Sequence, residues 1–87
     1  MVRVYDIKQK EIINEIDGGR LGYISDVEID LENGKITKII VPGKAKFLGV
    51  FGRDMEYQIP WEKIKKIGED IILVEIDVEK HLVQSEY

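Results

Sequence analysis

Asn33-Gly34 lies between two long runs of alternating residues in the segment LGYISDVEIDLENGKITKIIV, residues 21–41. Asn-Gly in that setting is a strong local signal for a β-hairpin, because both residues accept the positive φ of a tight turn. A hairpin this long dominates a chain of 87 residues. It predicts an all-β protein built around one ribbon.

The register of that ribbon follows from its side chains. On the first strand Tyr23, Ser25, Val27, Ile29 and Leu31 share one face, and Ile24, Asp26, Glu28 and Asp30 share the other. A two-residue loop at Asn33-Gly34 would set Ile29 opposite Lys38 and force a lysine among apolar residues. A three-residue loop, Glu32-Asn33-Gly34, with Gly34 in the left-handed position, shifts the pairing by one. Ile29 then faces Thr37, Val27 faces Ile39, and Glu28 faces Lys38. This register joins the apolar set and opposes unlike charges, so it is preferred. It also leaves Ile24, Ile36 and Ile40 together on the face away from the core. Such a patch calls for cover by the C-terminal segment or by a second subunit, and the sequence predicts a homodimer through it.

The remaining chain reads as short strands separated by turns. A turn over residues 6–10 precedes a strand at residues 11–14, and Asp17-Gly18-Gly19-Arg20 turns the chain back. Pro42-Gly43 ends the return strand of the hairpin. Residues 44–54, KAKFLGVFGRD, form a long loop, residues 55–59 alternate again, and Pro60-Trp61 breaks the strand. A last hairpin runs from 64–67 to 71–76 through Gly68-Glu69-Asp70. Six strands with almost no helix predict a small β-barrel over residues 1–76. Residues 77–87 are then a polar tail or cap, with Val78, Leu82 and Val83 spaced for a short helical turn.

Composition narrows the function classes. There is no cysteine, so disulfides and thiolate metal sites are excluded, and a reducing, cytoplasmic setting is the expectation. A net charge of −4 disfavours DNA, RNA and anionic membrane surfaces as general targets. The first residues lack the apolar stretch of a signal peptide, and no run approaches the roughly 20 apolar residues of a membrane span.

Four elements together resemble the PRC-barrel domain: G-x-x-S-D (Gly22, Ser25, Asp26), V-P-G (Val41, Pro42, Gly43), F-L-G-x-F-G-R (Phe47, Leu48, Gly49, Phe51, Gly52, Arg53) and I-P-W (Ile59, Pro60, Trp61). The resemblance covers nearly the whole chain. It is strongest to the small stand-alone branch of the YlmC/YmxH type, associated with sporulation in endospore-forming bacteria. Archaeal stand-alone members are also similar. The resemblance implies a short six-stranded barrel, sometimes dimeric, serving as an interaction or assembly module with no enzymatic activity and no cofactor. The alternatives it implies are an RNA- or ribosome-associated adaptor, like the half of a ribosome maturation factor that shares the domain, and an archaeal-type cell-division protein.

Asp26, Glu28, Asp30 and Glu32 alternate like calcium ligands. Counting from Asp26, however, the sixth and twelfth positions hold Leu31 and Thr37 rather than glycine and glutamate. A solvated strand face neighboured by Lys35 and Lys38 is the better reading. His81 stands alone without a nucleophile motif. Gly49 and Gly52 lack the lysine and the strand–loop–helix frame of a phosphate loop. No catalytic, cofactor or metal residue is therefore assigned. Phe47, Leu48, Val50 and Phe51 are large apolar residues flanked by Lys44, Lys46 and Arg53. Two readings stand for this loop: it folds over an open barrel end, or it presents a contact surface for an unidentified protein partner. In the second reading Arg53 is the charged residue to test first.

Overall fold

The computed structural model describes residues 1–43 and 55–85. The alternating segments become strands: β1 (Glu11–Asn14), β2 (Arg20–Tyr23), β3 (Asp26–Asp30), β4 (Lys35–Pro42), β5 (Met55–Pro60), β6 (Ile64–Ile67), β7 (Ile71–Val74) and β8 (Leu82–Gln84). Two short helices, α1 (Val4–Lys8) and α2 (Val78–His81), and a 3-10 turn at Trp61–Lys63 complete the described elements. The chain is all-β. Sheet A has the order β2-β1-β7-β6 and sheet B the order β3-β4-β5-β8. Among the described residues only β1 and β7 pair in parallel; the other ladders are antiparallel.

The six expected strands become eight among the described residues for two reasons. The first arm of the long ribbon divides in two, and the tail adds β8 against β5. The division falls at Ile24-Ser25. Gly22 has φ +111°, which L side chains rarely adopt, and the chain then bends so that the Ser25 N–H donates to Ile40 O at 2.8 Å. The residues before the bend pair with β1 in sheet A, and those after it pair with β4 in sheet B.

That bend overturns part of the face assignment. Period two holds only within a continuous strand, so Leu21, Ile24 and Val27 can all contact the core despite their spacing of three. Ile24, expected on the outer patch, is 3% exposed inside the core. Ile40 does lie outside the core cluster, but it is only 7% exposed. It sits in a depression of about 270 Å³ whose rim includes Asp26, Glu28, Glu56 and Ser85. The C-terminal segment therefore reaches the side of the ribbon where a second subunit was expected. Ile36 is half-buried opposite Ile29.

The ribbon register agrees with expectation at Val27↔Ile39 and Glu28↔Lys38, then shifts. Ile29 pairs with Ile36, not Thr37, and Asp30 with Lys35, so the loop has the four residues 31–34. Asp30 explains the shift. Its Oδ1 accepts from Glu32 N (3.0 Å) and Asn33 N (3.4 Å), and its Oδ2 from Asn33 Nδ2 (2.7 Å). This draws Leu31 into the loop and leaves Thr37 as the extra residue of a bulge. Gly34 takes φ +65°, as expected, and donates to Asp30 O at 2.7 Å.

These hydrogen bonds, led by the Asn33 side chain, hold the Asp30 carboxyl below the ordinary aspartate value of 3.8. A lowered folded pKa means that the contribution is present above the unfolded pKa and is lost as pH falls through the folded one. Titration followed by NMR should place Asp30 below the ordinary aspartate value. Asn33→Ala should move it back toward 3.8; an unchanged midpoint would contradict this account of the turn.

The core lies between the sheets. Ile12, Ile39, Val41, Ile59, Ile72 and Val74 are fully buried in it. Ile7 of α1 is buried against the same cluster, and Trp61 packs on it while half-buried. Asn14 is the one buried polar residue among those described. Its Nδ2 donates to Ile76 O at 3.0 Å, and its Oδ1 accepts from Ile76 N at 3.2 Å and Ile16 N at 3.4 Å.

Candidate interaction surfaces

Sheet A is apolar on both faces at its centre. Ile12, Ile72 and Val74 point into the core, while the neighbouring Ile13, Ile71 and Leu73 fall on the outer face. The parallel register sets Ile13 beside Leu73 and Glu11 beside Ile71, and Tyr23 pairs with Glu11 on the next strand. Tyr23 is 53% exposed. Strands with apolar residues on both sides are characteristic of sheets covered on both sides, yet here only one face meets the chain's own core.

Charge rims this face. The Arg20 guanidinium grips Glu11 with Nε and Nη2, each 2.9 Å from a carboxylate oxygen, and this bond raises the arginine pKa further. On the opposite flank, Lys66 pairs with Leu73 in the ladder, and Lys65 lies 3.6 Å from Glu75.

The ribbon tip is a second exposed apolar site. Ile29 is 53% exposed and Leu31 90% exposed. Both were expected on the core face. They project because the bulge and the four-residue loop carry the end of the ribbon away from the sheet packing.

Within the carboxylate row, Glu28 joins a polar network. Lys38 lies 3.7 Å from Glu28 and donates to Gln58 Oε1 at 2.9 Å, and Gln58 Nε2 donates to Glu56 Oε2 at 3.0 Å. The expected charge pairing is thus present at Glu28, and the network extends onto β5. Among the described residues no three His, Asp or Glu side chains converge as metal ligands. His81 Nδ1 lies 2.8 Å from Asp77 O, closing the short helix α2. No helix among the described residues is long and apolar enough to cross a membrane.

Of the interaction residues named from sequence, Ile24 is taken into the core and Ile40 is covered, leaving Ile36 half-buried on the ribbon. Phe47, Leu48, Val50, Phe51 and Arg53 lie outside the described residues. Sequence reading passed over Ile13, Ile71 and Leu73. The signal was there in the uninterrupted run IILV at 71–74 and in the doubled isoleucine of β1, where a one-sided strand would alternate.

Comparison with known proteins agrees with this architecture. Residues 1–81 match the family model of the PRC-barrel domain. The chain is 43% identical over 76 residues to the probable sporulation protein YlmC of Bacillus subtilis, covering 87% of this chain and 94% of that protein. It is 42% identical over 71 residues to an uncharacterised protein of Clostridium acetobutylicum, covering 82% and 80% of the two chains. It is 31% identical over 80 residues to the uncharacterised protein YmxH of Bacillus subtilis, covering 90% and 93%.

Proposed function

The chain belongs to the PRC-barrel domain family, and from that premise we propose that it is a non-enzymatic interaction module that assembles as a homodimer and serves a sporulation-associated process. The process is carried over from its similarity to the probable sporulation protein YlmC. One observation carries the interaction role: the outer face of sheet A, where Ile71 is 40% exposed and the half-buried Ile13 and Leu73 lie beside it. A second copy stacked on this face would bury them. The ribbon patch cannot serve in the same way, since Ile24 and Ile40 are already covered.

Light scattering at micromolar concentration tests the assembly. The wild type should show twice the monomer mass. Leu73→Lys buries an unpaired charge at the centre of the face and should weaken association by about a hundredfold or more, at unchanged circular dichroism. A monomeric wild type, or a Leu73→Lys variant that still dimerises, removes this face from the proposal. Partner binding is tested by capture from native lysate, with Phe51→Ala and Arg53→Ala as probes of the 44–54 segment. Co-purification of ribosomal material that nuclease abolishes would favour the adaptor function over the one proposed.

A further inference from the structure

We propose that the free edge of β6 binds an extended peptide segment of a partner protein, one with alternating apolar and acidic residues, by adding it as a further strand of sheet A. The inference deepens the interaction reading and rests on it. β6 ends the sheet. Along it runs a groove of about 330 Å³, lined by Trp61, Ile64, Lys65, Lys66 and Ile67.

The backbone of β6 is oriented for such an addition. The bonds between Gly68 N and Ile71 O (2.8 Å) and between Glu75 N and Lys63 O (3.0 Å) flank the pairs that Ile67 and Ile64 make with β7. In an antiparallel ladder that pattern turns the peptide groups of Ile64 and Ile67 away from β7, toward the open side. Ile64 N closes the preceding turn onto Trp61 O. The Ile64 carbonyl and both polar groups of Ile67 are left facing an incoming strand.

The side chains select the sequence class. Trp61, Ile64 and Ile67 give the groove an apolar wall, which suits every second residue of an extended peptide. Lys65, which lies 3.6 Å from Glu75, and Lys66 are its charged residues, and among the described residues no carboxylate lines it, in a chain whose net charge is −4. The intervening peptide residues are therefore acidic. The other sheet ends are less open to pairing. β3 carries Asp26, Glu28 and Asp30, and the Asp26 carboxylate takes the Val27 N–H at 2.8 Å. β2 lies against β4, and β8 has three residues. Charged and capped edges discourage strand addition, whereas β6 combines an apolar wall with a single sign of charge.

The test is an NMR titration of the full chain with a blocked octapeptide of alternating valine and glutamate. Two controls accompany it: the valine–lysine counterpart, and a valine–glutamate peptide interrupted by proline. Saturable shifts of the 64–67 amides are expected. They should be lost with proline, which removes the ladder donors, and weakened about tenfold by Lys66→Glu. Light scattering of the same samples separates peptide binding from self-association. No saturation, shifts centred on β3 or β8, equal binding of the lysine peptide, tolerance of proline, or occupation of the edge by a second copy each overturns the proposal. A lysate partner that is captured equally well by Lys66→Glu would leave the interaction reading intact while removing this edge from it. Absence of any partner and of any self-association would remove the broader reading itself.

Discussion

Replacing Asn14 by leucine is expected to cost about 2–5 kcal/mol of folding stability, although the two side chains are similar in size. Each polar group left unsatisfied by losing its buried partner costs about 1–3 kcal/mol. Asn14 serves both the N–H and the C=O of Ile76, and Ile76 is itself buried, so water cannot replace the lost bonds cheaply. The Ile16 N–H loses its side-chain acceptor as well. The backbone groups of Asn14 still bond Gly19 O and Gly18 N, so the turn that follows β1 survives. What fails is the tie between the end of β1 and the chain leaving β7. An 87-residue domain has a total stability of about 4–13 kcal/mol, so the variant should be near its unfolding threshold. Urea unfolding, followed through the single tryptophan, measures the loss directly. A change below about 1 kcal/mol would show that Asn14 is not the tie described here.

Asn14→Asp separates the hydrogen bonding from the packing. It keeps an oxygen to accept from Ile76 N and Ile16 N but turns the donor into a carboxylate oxygen facing the Ile76 carbonyl. Burial and that carbonyl disfavour the charged form, so the folded pKa of the new group rises above its unfolded value. A raised acid pKa gives stability that is greatest below the unfolded value, about 3.9, and that is lost as pH climbs toward the folded one. Relative to wild type the variant should therefore recover on acidification. Asn14→Leu, with nothing to titrate at this position, should not.

Most strands were legible because a strand needs only local alternation. β4, β5, β6 and β7 begin and end close to their sequence signals, and Gly34 is in the left-handed position its turn requires. What was not legible depends on partners distant in sequence. The parallel pairing of β1 with β7 joins Ile12 to Ile72, and nothing local announces it. The bend at Ser25 hides inside a run that alternates without a break. It breaks the alternation across Ile24-Ser25, and this is why Ile24 was placed outside and is found inside. The same limit applies to the surfaces. The doubled apolar character of β1 and β7 was visible in the letters, but it gained meaning only once both strands lay at the centre of one sheet. At the tip, a single side chain, that of Asp30, lengthened the loop and released Leu31.

Ile39→Ala and Ile29→Ala put that corrected ribbon to a direct test, because the sequence placed Ile29 and Val27 on one apolar face with Ile39 across from it. In the structure Ile39 is fully buried at the centre of sheet B, paired with Val27 on one side and Ile59 on the other. Truncation there removes buried methyl and methylene groups and leaves a cavity between two ladders that cannot collapse independently. The expected cost is about 2–5 kcal/mol. Ile29 is 53% exposed, its partner Ile36 is only half-buried, and it lies beyond the bulge. Its truncation should fall within about 0.5–1 kcal/mol of wild type. The contrast between the two, measured by urea unfolding under one set of conditions, matters more than either value. A large loss at Ile29 would mean that the tip packs against the body of the protein, and that the register shift at Thr37 has been assigned to the wrong side of the ribbon. A small loss at Ile39 would mean that the centre of sheet B repacks without it, against the close packing that a core this small depends on.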